Sequence, residues 1–263
     1  MKKVFGRPQS LREAPFRFCP GCGHSILHRL AAECLDLLGI RERTVLIAPI
    51  GCAVFAYDFF NFDVIEIPHG RPPAAATGIK RCHPDKVVIS YQGDGDLAAI
   101  GTAEIVHAAN RGENITVFFV NNAVYGMTGG QMAPTTLSGQ RTTTTPTGRK
   151  IAADGHPLKV AELLAALDGV SFVARSALTS PASVIRTKKL FEKALRYQME
   201  EKGFSLVEVL SPCPTAWRMS PEEALLWVKN EMSKIYPPGI LKDIYAREEA
   251  PVLDPKNGAR NEL

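Results

Sequence analysis

The segment Lys86-Val-Val-Ile-Ser-Tyr-Gln92, which runs directly into Gly93-Asp94-Gly95, decides the fold of this chain. Its apolar residues predict a buried strand that ends at the glycines, and a helical stretch from Leu97 to Asn110 follows. A second apolar run, Ile115-Thr-Val-Phe-Phe-Val120, then ends at Asn121-Asn122. Parallel strands joined by a helix bring both loops to the same edge of a sheet, where ligands of open α/β folds bind.

The two loops carry the ligand types of a magnesium-held diphosphate. Asp94 and the side-chain oxygen of Asn122, which lies 28 positions later (122 − 94), can converge on one hard cation. The glycines let backbone N–H groups approach a phosphate closely. Because Gly-Asp-Gly alone is also ordinary turn chemistry, the prediction depends on its pairing with Asn-Asn in the next loop.

The other patterns predict an α/β fold, a mostly parallel sheet flanked by helices. Strands are expected at Val45–Ala48, Val64–Ile67, Val170–Ala174 and Phe204–Leu210, and helices at Ser25–Leu38, from Pro72-Pro73, at Pro181–Lys202 and from Ser220 to about Tyr236. The Gly/Thr-rich stretch Met127–Arg149 shows little periodicity. Connections of this length without regular structure are usually functional or mobile.

Length and composition favour one domain. The 263 residues, 45% of them hydrophobic, can bury one large core, so we predict a single domain over residues 1–263. We expect an N-terminal arm at residues 1–18 and a peripheral C-terminal tail at residues 237–263. A net charge of +4 without a basic stripe argues against nucleic-acid binding. No apolar run reaches membrane-spanning length and no signal peptide is apparent, so we expect a cytoplasmic protein.

Four cysteines predict a second site at the same edge. Cys19 and Cys22 form a CxxC motif, while Cys52 and Cys213 each follow a predicted strand. Their thiolates can converge beside the diphosphate site, as a four-cysteine zinc site or a [4Fe–4S] cluster, which cysteine count cannot separate. Two further cysteines are left out, Cys34 as a buried small hydrophobe and Cys82 for lack of a partner at motif spacing.

The combined motifs resemble the beta (thiamine diphosphate-binding) subunit of 2-oxoacid:ferredoxin oxidoreductases. They are Phe18-Cys-Pro-Gly-Cys-Gly-His24, Ile50-Gly-Cys52, His69-Gly-Arg71, Gly93-Asp-Gly-Asp96 and Asn121-Asn-Ala-Val-Tyr-Gly-Met-Thr-Gly-Gly-Gln131. The resemblance runs from about Cys19 through the Cys213 loop to the capped helix, and so covers nearly the whole chain.

The resemblance implies a set of ligands for each cofactor. It implies Mg²⁺ held by Asp94, Asn122 and the Val124 carbonyl. It implies a [4Fe–4S] cluster held by Cys19, Cys22, Cys52 and Cys213. The residues expected to line thiamine diphosphate are Ile50, Gly51, Cys52, Ala53, His69, Gly93, Gly95, Asp96, Tyr125 and Gly126.

The same resemblance implies the activity and the partners. The family decarboxylates a 2-oxoacid oxidatively to acyl-CoA and CO2 and passes the electrons to ferredoxin. The glutamate that activates the cofactor comes from a separate pyrimidine-binding domain, which this sequence lacks. We therefore expect no catalytic residue in this chain and no activity without an alpha subunit. Small gamma and ferredoxin-like subunits are further expected partners.

The substrate is predicted from the residues after Cys52. If Val54 or Phe55 faces the 2-oxoacid, an apolar pocket favours a branched-chain acid such as 2-oxoisovalerate. 2-Oxoglutarate stays open, because the partner or Arg71 can supply the cation for its second carboxylate. Pyruvate is disfavoured by Gly126-Met127-Thr128, which stands where pyruvate members have Ser-Asn-Thr. Two more distant alternatives are a non-oxidative thiamine enzyme component and a zinc-stapled α/β binding module.

Overall fold

A computed structural model describes residues 6–246 as a seven-stranded sheet flanked by helices. The strands are β1 Thr44–Ala48, β2 Asp63–Glu66, β3 Val87–Gly93, β4 Thr116–Asn121, β5 Val170–Ala177, β6 Phe204–Leu210 and β7 Gly239–Asp243. Their order is β2-β1-β3-β4-β6-β5-β7, and every neighbouring pair is parallel except β5 and β7. The predicted α/β fold with a mostly parallel sheet is therefore confirmed.

The helices are α1 His24–Leu38, α2 Ala56–Phe59, α3 Pro72–Cys82, α4 Thr102–Asn110, α5 Ile151–Asp154, α6 Val160–Ala165, α7 Pro181–Met199, α8 Pro214–Trp217, α9 Pro221–Trp227 and α10 Ser233–Ile235. Helices α1 and α7 begin and end within a few residues of the predicted positions and α3 begins where predicted, whereas α2, α5, α6 and α8 were not predicted and the helix predicted from Ser220 is interrupted. Short 3-10 turns lie at Arg41–Arg43 and Cys52–Phe55, and π-helical turns lie at Asp96–Ile100 and Val228–Met232. The Ser220–Glu223 capping box is present, and a second one, Ser180–Ser183, opens α7.

Both faces of the sheet are covered, which explains why its strands are nearly continuous apolar runs. On one face α1 and α7 pack over β3, β4 and β5, and the rings of Phe118 and Phe191 stack there at 3.8 Å between centroids. On the other face α3, α4 and α6 pack over the same strands. The central strands β1, β3, β4 and β6 therefore end at one edge, and the loops that follow them lie side by side.

The helix predicted from Leu97 to Asn110 is interrupted. Its first turn, Asp96–Ile100, is π-helical, and α4 begins only after Gly101. The backbone of Gly70 approaches Gly101 so closely that a Cβ at Gly101 would lie 2.8 Å from the Gly70 carbonyl oxygen. The sequence pattern indicates the helix but not this contact from another loop, which accompanies the widened turn.

Both termini carry more structure than the sequence predicted. In the N-terminal arm Ser10 and Leu11 are buried, and Leu11 forms an isolated bridge with Phe60. The predicted tail contributes β7, an antiparallel edge strand whose pairing with β5 the sequence pattern did not indicate. The arm's residues 1–5 and the tail's residues 247–263 lie outside the described residues. Between residues 6 and 246 no helix combines the length and the apolar character that crossing a bilayer requires.

The Gly/Thr-rich stretch has no regular helix or strand between residues 127 and 149, as predicted, but it is tightly held. Arg149 is 5% exposed, and its guanidinium donates to backbone carbonyls of this stretch and of residues 154–156, which follow it. Among them are Pro134 at 2.9 Å, Thr136 at 2.6 Å and His156 at 2.8 Å. One buried guanidinium thus satisfies carbonyls that a helix or strand would otherwise pair.

Candidate functional site

A cavity of about 150 Å³ opens at the edge of the sheet where β1, β3 and β4 end. All the residues predicted to hold Mg²⁺ or line thiamine diphosphate border it, together with His24, Val120, Met127 and Thr128, which the prediction did not include. A larger cavity, about 480 Å³, lies between Arg141 and Arg218 and contains none of the predicted ligands. The smaller cavity is the candidate site because the ligand chemistry converges there.

Asp94 is almost fully buried at the floor of this cavity, with 3% of its surface exposed. One carboxylate oxygen accepts from the Gly95 N–H at 2.8 Å, and the other accepts from the Thr135 hydroxyl. Burial raises the pKa of Asp94 to about 7, and these hydrogen bonds offset only part of that effect. A nearby cation favours the ionised form of such a carboxyl, so the environment of Asp94 suits a metal ligand.

Asn122 and Val124 lie on a tight turn directly after β4. Ala123, between them, has a left-handed backbone with φ of 58°. The Asn122 side-chain oxygen accepts from the Val124 N–H at 3.2 Å, and the Asn122 carbonyl accepts from the Trp217 indole at 3.0 Å. Asn122 and Val124 both border the cavity that also contains Asp94.

Gly95 allows the ring of Tyr125 to cover the loop. A Cβ at Gly95 would overlap two ring carbons of Tyr125. No side chain larger than hydrogen fits while the ring keeps its position, and Gly95 itself borders the cavity.

We therefore expect Gly95→Ala to displace Tyr125 and weaken Mg²⁺–thiamine diphosphate binding by about tenfold, the lower end of the range for residues that support a metal site. Titration calorimetry would measure the affinity. Gly78→Ala is the matched control, because Gly78 lies in α3 and a methyl group added there would meet no atom within 4 Å. Equal affinities in all three proteins would show that Tyr125 does not depend on the glycine.

Through its carboxylate, Asp96 connects its own loop to the loops that contain Ile50 and His69. It is 2% exposed and accepts from the Gly70 N–H at 2.9 Å and from the Gln92 side chain at 2.6 Å. Its carboxylate also contacts the His69 imidazole, and the Ile50 N–H lies 3.4 Å away. Through these contacts the predicted cofactor residues Ile50, His69 and Asp96 support one another, although they come from three separate segments.

Two of the four predicted cluster cysteines, Cys52 and Cys213, have their sulfurs near Gly126. A Cβ at Gly126 would lie 3.4 Å from the Cys213 sulfur and 3.7 Å from the Cys52 sulfur, and equally near the Asn122 amide at 3.4 Å. The CxxC loop joins them because the Gly23 N–H donates to the Pro212 carbonyl at 3.4 Å. The structure thus brings the two predicted sites together through one short loop, residues 122–126.

Burial and nearby thiol charges raise the pKa of Cys22, Cys52 and Cys213 above the ordinary value for a thiol. Burial raises the pKa of Cys22 to about 12, and the charges of Cys52 and Cys19 act in the same direction. Burial likewise raises the pKa of Cys213 to about 12, with contributions from Cys22 and Cys52. A cationic metal centre is what would hold such a group as thiolates. Within residues 6–246 no three His, Cys, Asp or Glu side chains are arranged around one point to hold a single metal ion.

The two cysteines excluded from the cluster lie elsewhere. Cys34 is buried on α1, as predicted, and its thiol contacts the Lys188 carbonyl at 3.5 Å. Cys82 is exposed at the end of α3.

The predicted substrate residues lie beside the cavity rather than on its wall. Val54 and Phe55 belong to the turn Cys52–Phe55, and neither borders the cavity that contains Asp94. The ring of Phe55 instead contacts that of Phe18, at 6.1 Å between centroids. Their role in substrate selection therefore stays a prediction.

A buried aromatic cluster backs the site. The His24 Nδ1 lies 2.7 Å from the Tyr91 hydroxyl, and the ring of Phe18 stacks on His24 at 5.1 Å. Below them His28 is fully buried, and its Nδ1 lies 2.8 Å from the His24 carbonyl. Burial lowers the pKa of His24 to about 3 and that of His28 to about 4, so both imidazoles are neutral at neutral pH.

These histidines predict acid sensitivity. Because the pKa of His28 is about 4 in the fold against an ordinary value of 6.5, its contribution to stability is complete above 6.5 and is lost as the pH falls toward 4. The loss at pH 5 is about 2 kcal/mol. Urea unfolding at pH 7 and at pH 5 gives the drop in the free energy of unfolding between the two pH values. This drop should be smaller in His28→Phe than in the wild type by about that amount. Identical losses in the two proteins would contradict the assignment.

Sequence reasoning missed three residues that support the site. Thr135, which contacts Asp94, lies in the stretch without periodicity and carries no local signal. Glu208 and Arg175 are buried charges in β6 and β5, where the surrounding residues are apolar. A charged residue inside an apolar strand is a signal that a buried partner must exist.

Comparison with known proteins agrees with the geometry. Residues 50–209 match the family described as thiamine pyrophosphate enzyme, C-terminal TPP binding domain. The ketoisovalerate oxidoreductase subunit VorA of Methanothermobacter thermautotrophicus is 48% identical over 272 residues, which is 100% of this chain and 57% of that protein. The 2-oxoglutarate synthase subunit KorB of Archaeoglobus fulgidus is 36% identical over 84% of this chain and 78% of that protein.

A solved structure shows the same fold. The 2-oxoglutarate:ferredoxin oxidoreductase from Magnetococcus marinus, with 2-oxoglutarate, coenzyme A and succinyl-CoA bound, superposes with a TM-score of 0.72 and 27% sequence identity. The alignment covers 92% of this chain and 86% of that one. The chain therefore belongs to the family of thiamine diphosphate-binding, beta-type subunits of 2-oxoacid:ferredoxin oxidoreductases.

Proposed function

We propose that this chain binds Mg²⁺–thiamine diphosphate and a [4Fe–4S] cluster within a 2-oxoacid:ferredoxin oxidoreductase that acts on a branched-chain 2-oxoacid. The observation that carries the proposal is the loop 122–126. Its first residue, Asn122, borders the cavity of Asp94, and its last, Gly126, lies against the sulfurs of Cys52 and Cys213. A redox centre this close to the cofactor site gives electrons from the substrate a route out of the protein.

Each residue set has a defined task in this proposal. Asp94, Asn122 and the Val124 carbonyl would hold Mg²⁺, whose octahedral oxygen shell matches these ligand types. The backbone of Gly95 and of residues 125–126 would face the diphosphate, while Ile50, Gly51 and Ala53 would line the thiazolium end beside Cys52. Thiamine diphosphate supplies the carbanion-stabilising chemistry of decarboxylation, and the protein supplies its binding and orientation.

The Cys19, Cys22, Cys52 and Cys213 thiolates are the proposed cluster ligands. Their mutual electrostatic interaction, with Cys19 and Cys52 both acting on Cys22, supports a shared site. Cysteine thiolates ligate all four irons of such clusters, and burial among apolar residues tunes their potential. Cys213 and Asp94 also interact electrostatically, which links the cluster position to the magnesium position.

We infer that the chain, acting as one thiamine diphosphate-binding domain, depends on a partner for catalysis. Residues 6–246 place no glutamate on the wall of the candidate cavity, so the activating carboxylate would come from an alpha subunit. The chain spans 57% of the length of VorA. Decarboxylation by the isolated chain at the rate of the reconstituted complex would refute this dependence.

A branched-chain substrate is supported by two observations. The higher identity is to the ketoisovalerate oxidoreductase subunit, 48%, against 36% for the 2-oxoglutarate synthase subunit. Moreover, Arg71, the candidate partner for a second carboxylate, is engaged by Glu104 and donates to the Ile100 carbonyl at 2.7 Å. The guanidinium is therefore committed within this chain.

Comparing kcat/KM of the reconstituted complex on 2-oxoisovalerate, 2-oxoglutarate and pyruvate, with coenzyme A and ferredoxin, tests the substrate. We expect 2-oxoisovalerate to be preferred by at least about tenfold, a difference that apolar pocket contacts commonly supply. A preference for 2-oxoglutarate would show that the partner subunit supplies the cation that Arg71 does not.

A further inference from the structure

A buried ion pair lies in β5 and β6, beside β4 and the turn that contains Asn122. Arg175 of β5 and Glu208 of β6 are each 1% exposed, and the Arg175 Nε donates to one Glu208 oxygen at 2.6 Å. Glu162 of α6 binds the other end of the guanidinium, at 2.6 Å and 2.9 Å. The surrounding face is apolar, and includes Phe119, Val173 and Leu206.

Such a pair is weak evidence for stability. Moving two charges out of water costs free energy, and apolar side chains of similar size would not incur this cost. Stability alone therefore does not explain why a buried ion pair is present. Burial alone would lower the pKa of Arg175, but the hydrogen bonds and charges of Glu162 and Glu208 outweigh it and raise the pKa. Arg175 is therefore charged, and its Nε–H fixes one Glu208 oxygen, so that the other oxygen faces Asn121.

The second oxygen of Glu208 reaches the metal turn. It accepts from the Asn121 Nδ2 at 2.7 Å, and the Asn121 Oδ1 in turn accepts from the Ala123 N–H at 3.1 Å. Only this orientation of the Asn121 amide satisfies both neighbours, because a carboxylate accepts and a backbone N–H donates. Glu208 thus selects the amide orientation that anchors Ala123.

Ala123 is the residue whose backbone needs anchoring. Its φ of 58° lies in the left-handed region that residues with a Cβ rarely adopt. The Asn121 oxygen holds the N–H side of this residue, while the Thr136 hydroxyl donates to the Ala123 carbonyl at 2.6 Å. A change of backbone at Ala123 would move its neighbours Asn122 and Val124, which border the cavity that contains Asp94.

We propose that Glu208, oriented by Arg175, is a positioning residue that holds Asn121, and through it the Ala123 turn, in the conformation that presents Asn122 and Val124 to Mg²⁺. The inference rests on the proposed magnesium site, but the link from Glu208 to the turn exists without any ligand. It assigns a task to two residues that touch neither the cavity nor the cluster cysteines.

Two double variants separate positioning from structural support. Arg175→Met with Glu208→Gln removes both buried charges but keeps an oxygen that can accept from Asn121. Arg175→Met with Glu208→Leu removes the same charges and leaves Asn121 without its acceptor. Glu162→Gln is the control at the far side of Arg175, since its side chain is 37% exposed and does not contact Asn121.

Two measurements are made on each protein. Amide hydrogen exchange of the Ala123 and Val124 N–H groups, without ligand, reports the turn, and thermal unfolding reports the fold. Titration calorimetry with thiamine diphosphate at several Mg²⁺ concentrations reports the site. We expect the Leu variant to show faster exchange at Ala123 and an affinity weaker by on the order of 10- to 100-fold. The Gln variant, which keeps the acceptor for Asn121 but lacks Arg175, should lie between the Leu variant and the wild type.

Equal exchange and equal affinity in the two double variants would overturn the proposal, because only the acceptor for Asn121 differs between them. If the wild type binds no Mg²⁺–thiamine diphosphate, the proposed function fails, whereas the exchange measurement still tests whether Glu208 holds the turn. If the Leu variant does not fold, Asn121→Leu takes its place, because it removes the same hydrogen-bonded link between Glu208 and Ala123. Unchanged exchange at Ala123 in that protein would equally overturn the proposal.

Discussion

Replacing Asp94 with asparagine is expected to weaken Mg²⁺–thiamine diphosphate binding by more than about 100-fold, beyond the range typical of residues that only support a metal ligand. The substitution removes the carboxylate that the cavity offers to a cation at the end of β3, while the shape of the side chain is preserved. Titration calorimetry and the thiamine diphosphate content of the purified complex would both measure the loss.

The same substitution should stabilise the ligand-free fold, which distinguishes it from simple misfolding. Because the pKa of Asp94 is raised from 3.8 to about 7, the wild type loses stability as the pH rises through that interval, and the penalty is complete above 7. Asparagine carries no such penalty, so at pH 8 we expect a gain of up to about 4 kcal/mol in the free energy of unfolding.

The pH dependence of binding gives a second signature of Asp94. Below pH 7 a proton competes with Mg²⁺ for the carboxylate, so wild-type affinity should fall by about tenfold per pH unit, and the dependence should vanish in Asp94→Asn. Asp168→Asn, at an exposed position, is the control and should match the wild type. Wild-type binding that is independent of pH between 5 and 8 would contradict the assignment of Asp94 as a ligand.

Cys213→Ser is expected to remove the cluster and, with it, electron transfer to ferredoxin. The Cys213 sulfur lies beside that of Cys52 near Gly126, and the neighbouring Pro212 carbonyl contacts Gly23 next to the CxxC motif, so the substitution removes one proposed ligand from between the two other segments. We expect iron content to fall well below that of the wild type and ferredoxin reduction to fall by on the order of 100-fold or more. Thiamine diphosphate affinity should stay within a few fold, because Asp94, Asn122 and Val124 are unchanged.

Cys82→Ser is the matched control for this experiment, since Cys82 is exposed on α3 and remote from the other thiols. Iron analysis and ferredoxin reduction should both equal the wild type. A Cys213→Ser protein that keeps its iron, or a wild type that carries zinc instead of iron, would contradict the cluster assignment and favour a structural metal.

The sequence predicted the parts of the fold that depend on local pattern. Continuous apolar runs such as Phe204–Leu210 are typical of strands buried on both faces, and the structure places that strand with the same bounds. The residues that border the candidate cavity could be predicted because they follow strands, and the ends of parallel strands share one edge. Loop glycines and cysteines therefore revealed the site before any contact was known.

Contacts between distant segments could not be predicted in this way. The strand Gly239–Asp243 has no strong apolar alternation, and it forms because β5 offers a free edge. Thr135, which contacts Asp94, lies in a loop held by Arg149 and Tyr236, which are distant in sequence and give no periodic signal. The π-helical turn at Asp96 likewise depends on the close approach of Gly70 to Gly101.

The central claim is that one sheet edge joins the thiamine diphosphate site to the cluster, so that electrons leave the substrate through this chain. Electron paramagnetic resonance of the anaerobic complex, treated with 2-oxoisovalerate and coenzyme A in the absence of ferredoxin, tests it most directly. We expect the signal of a reduced [4Fe–4S] cluster that is lost in Asp94→Asn and in Cys213→Ser and is retained in Cys82→Ser. A wild-type cluster that dithionite reduces but that stays oxidised while CO2 is released would contradict it.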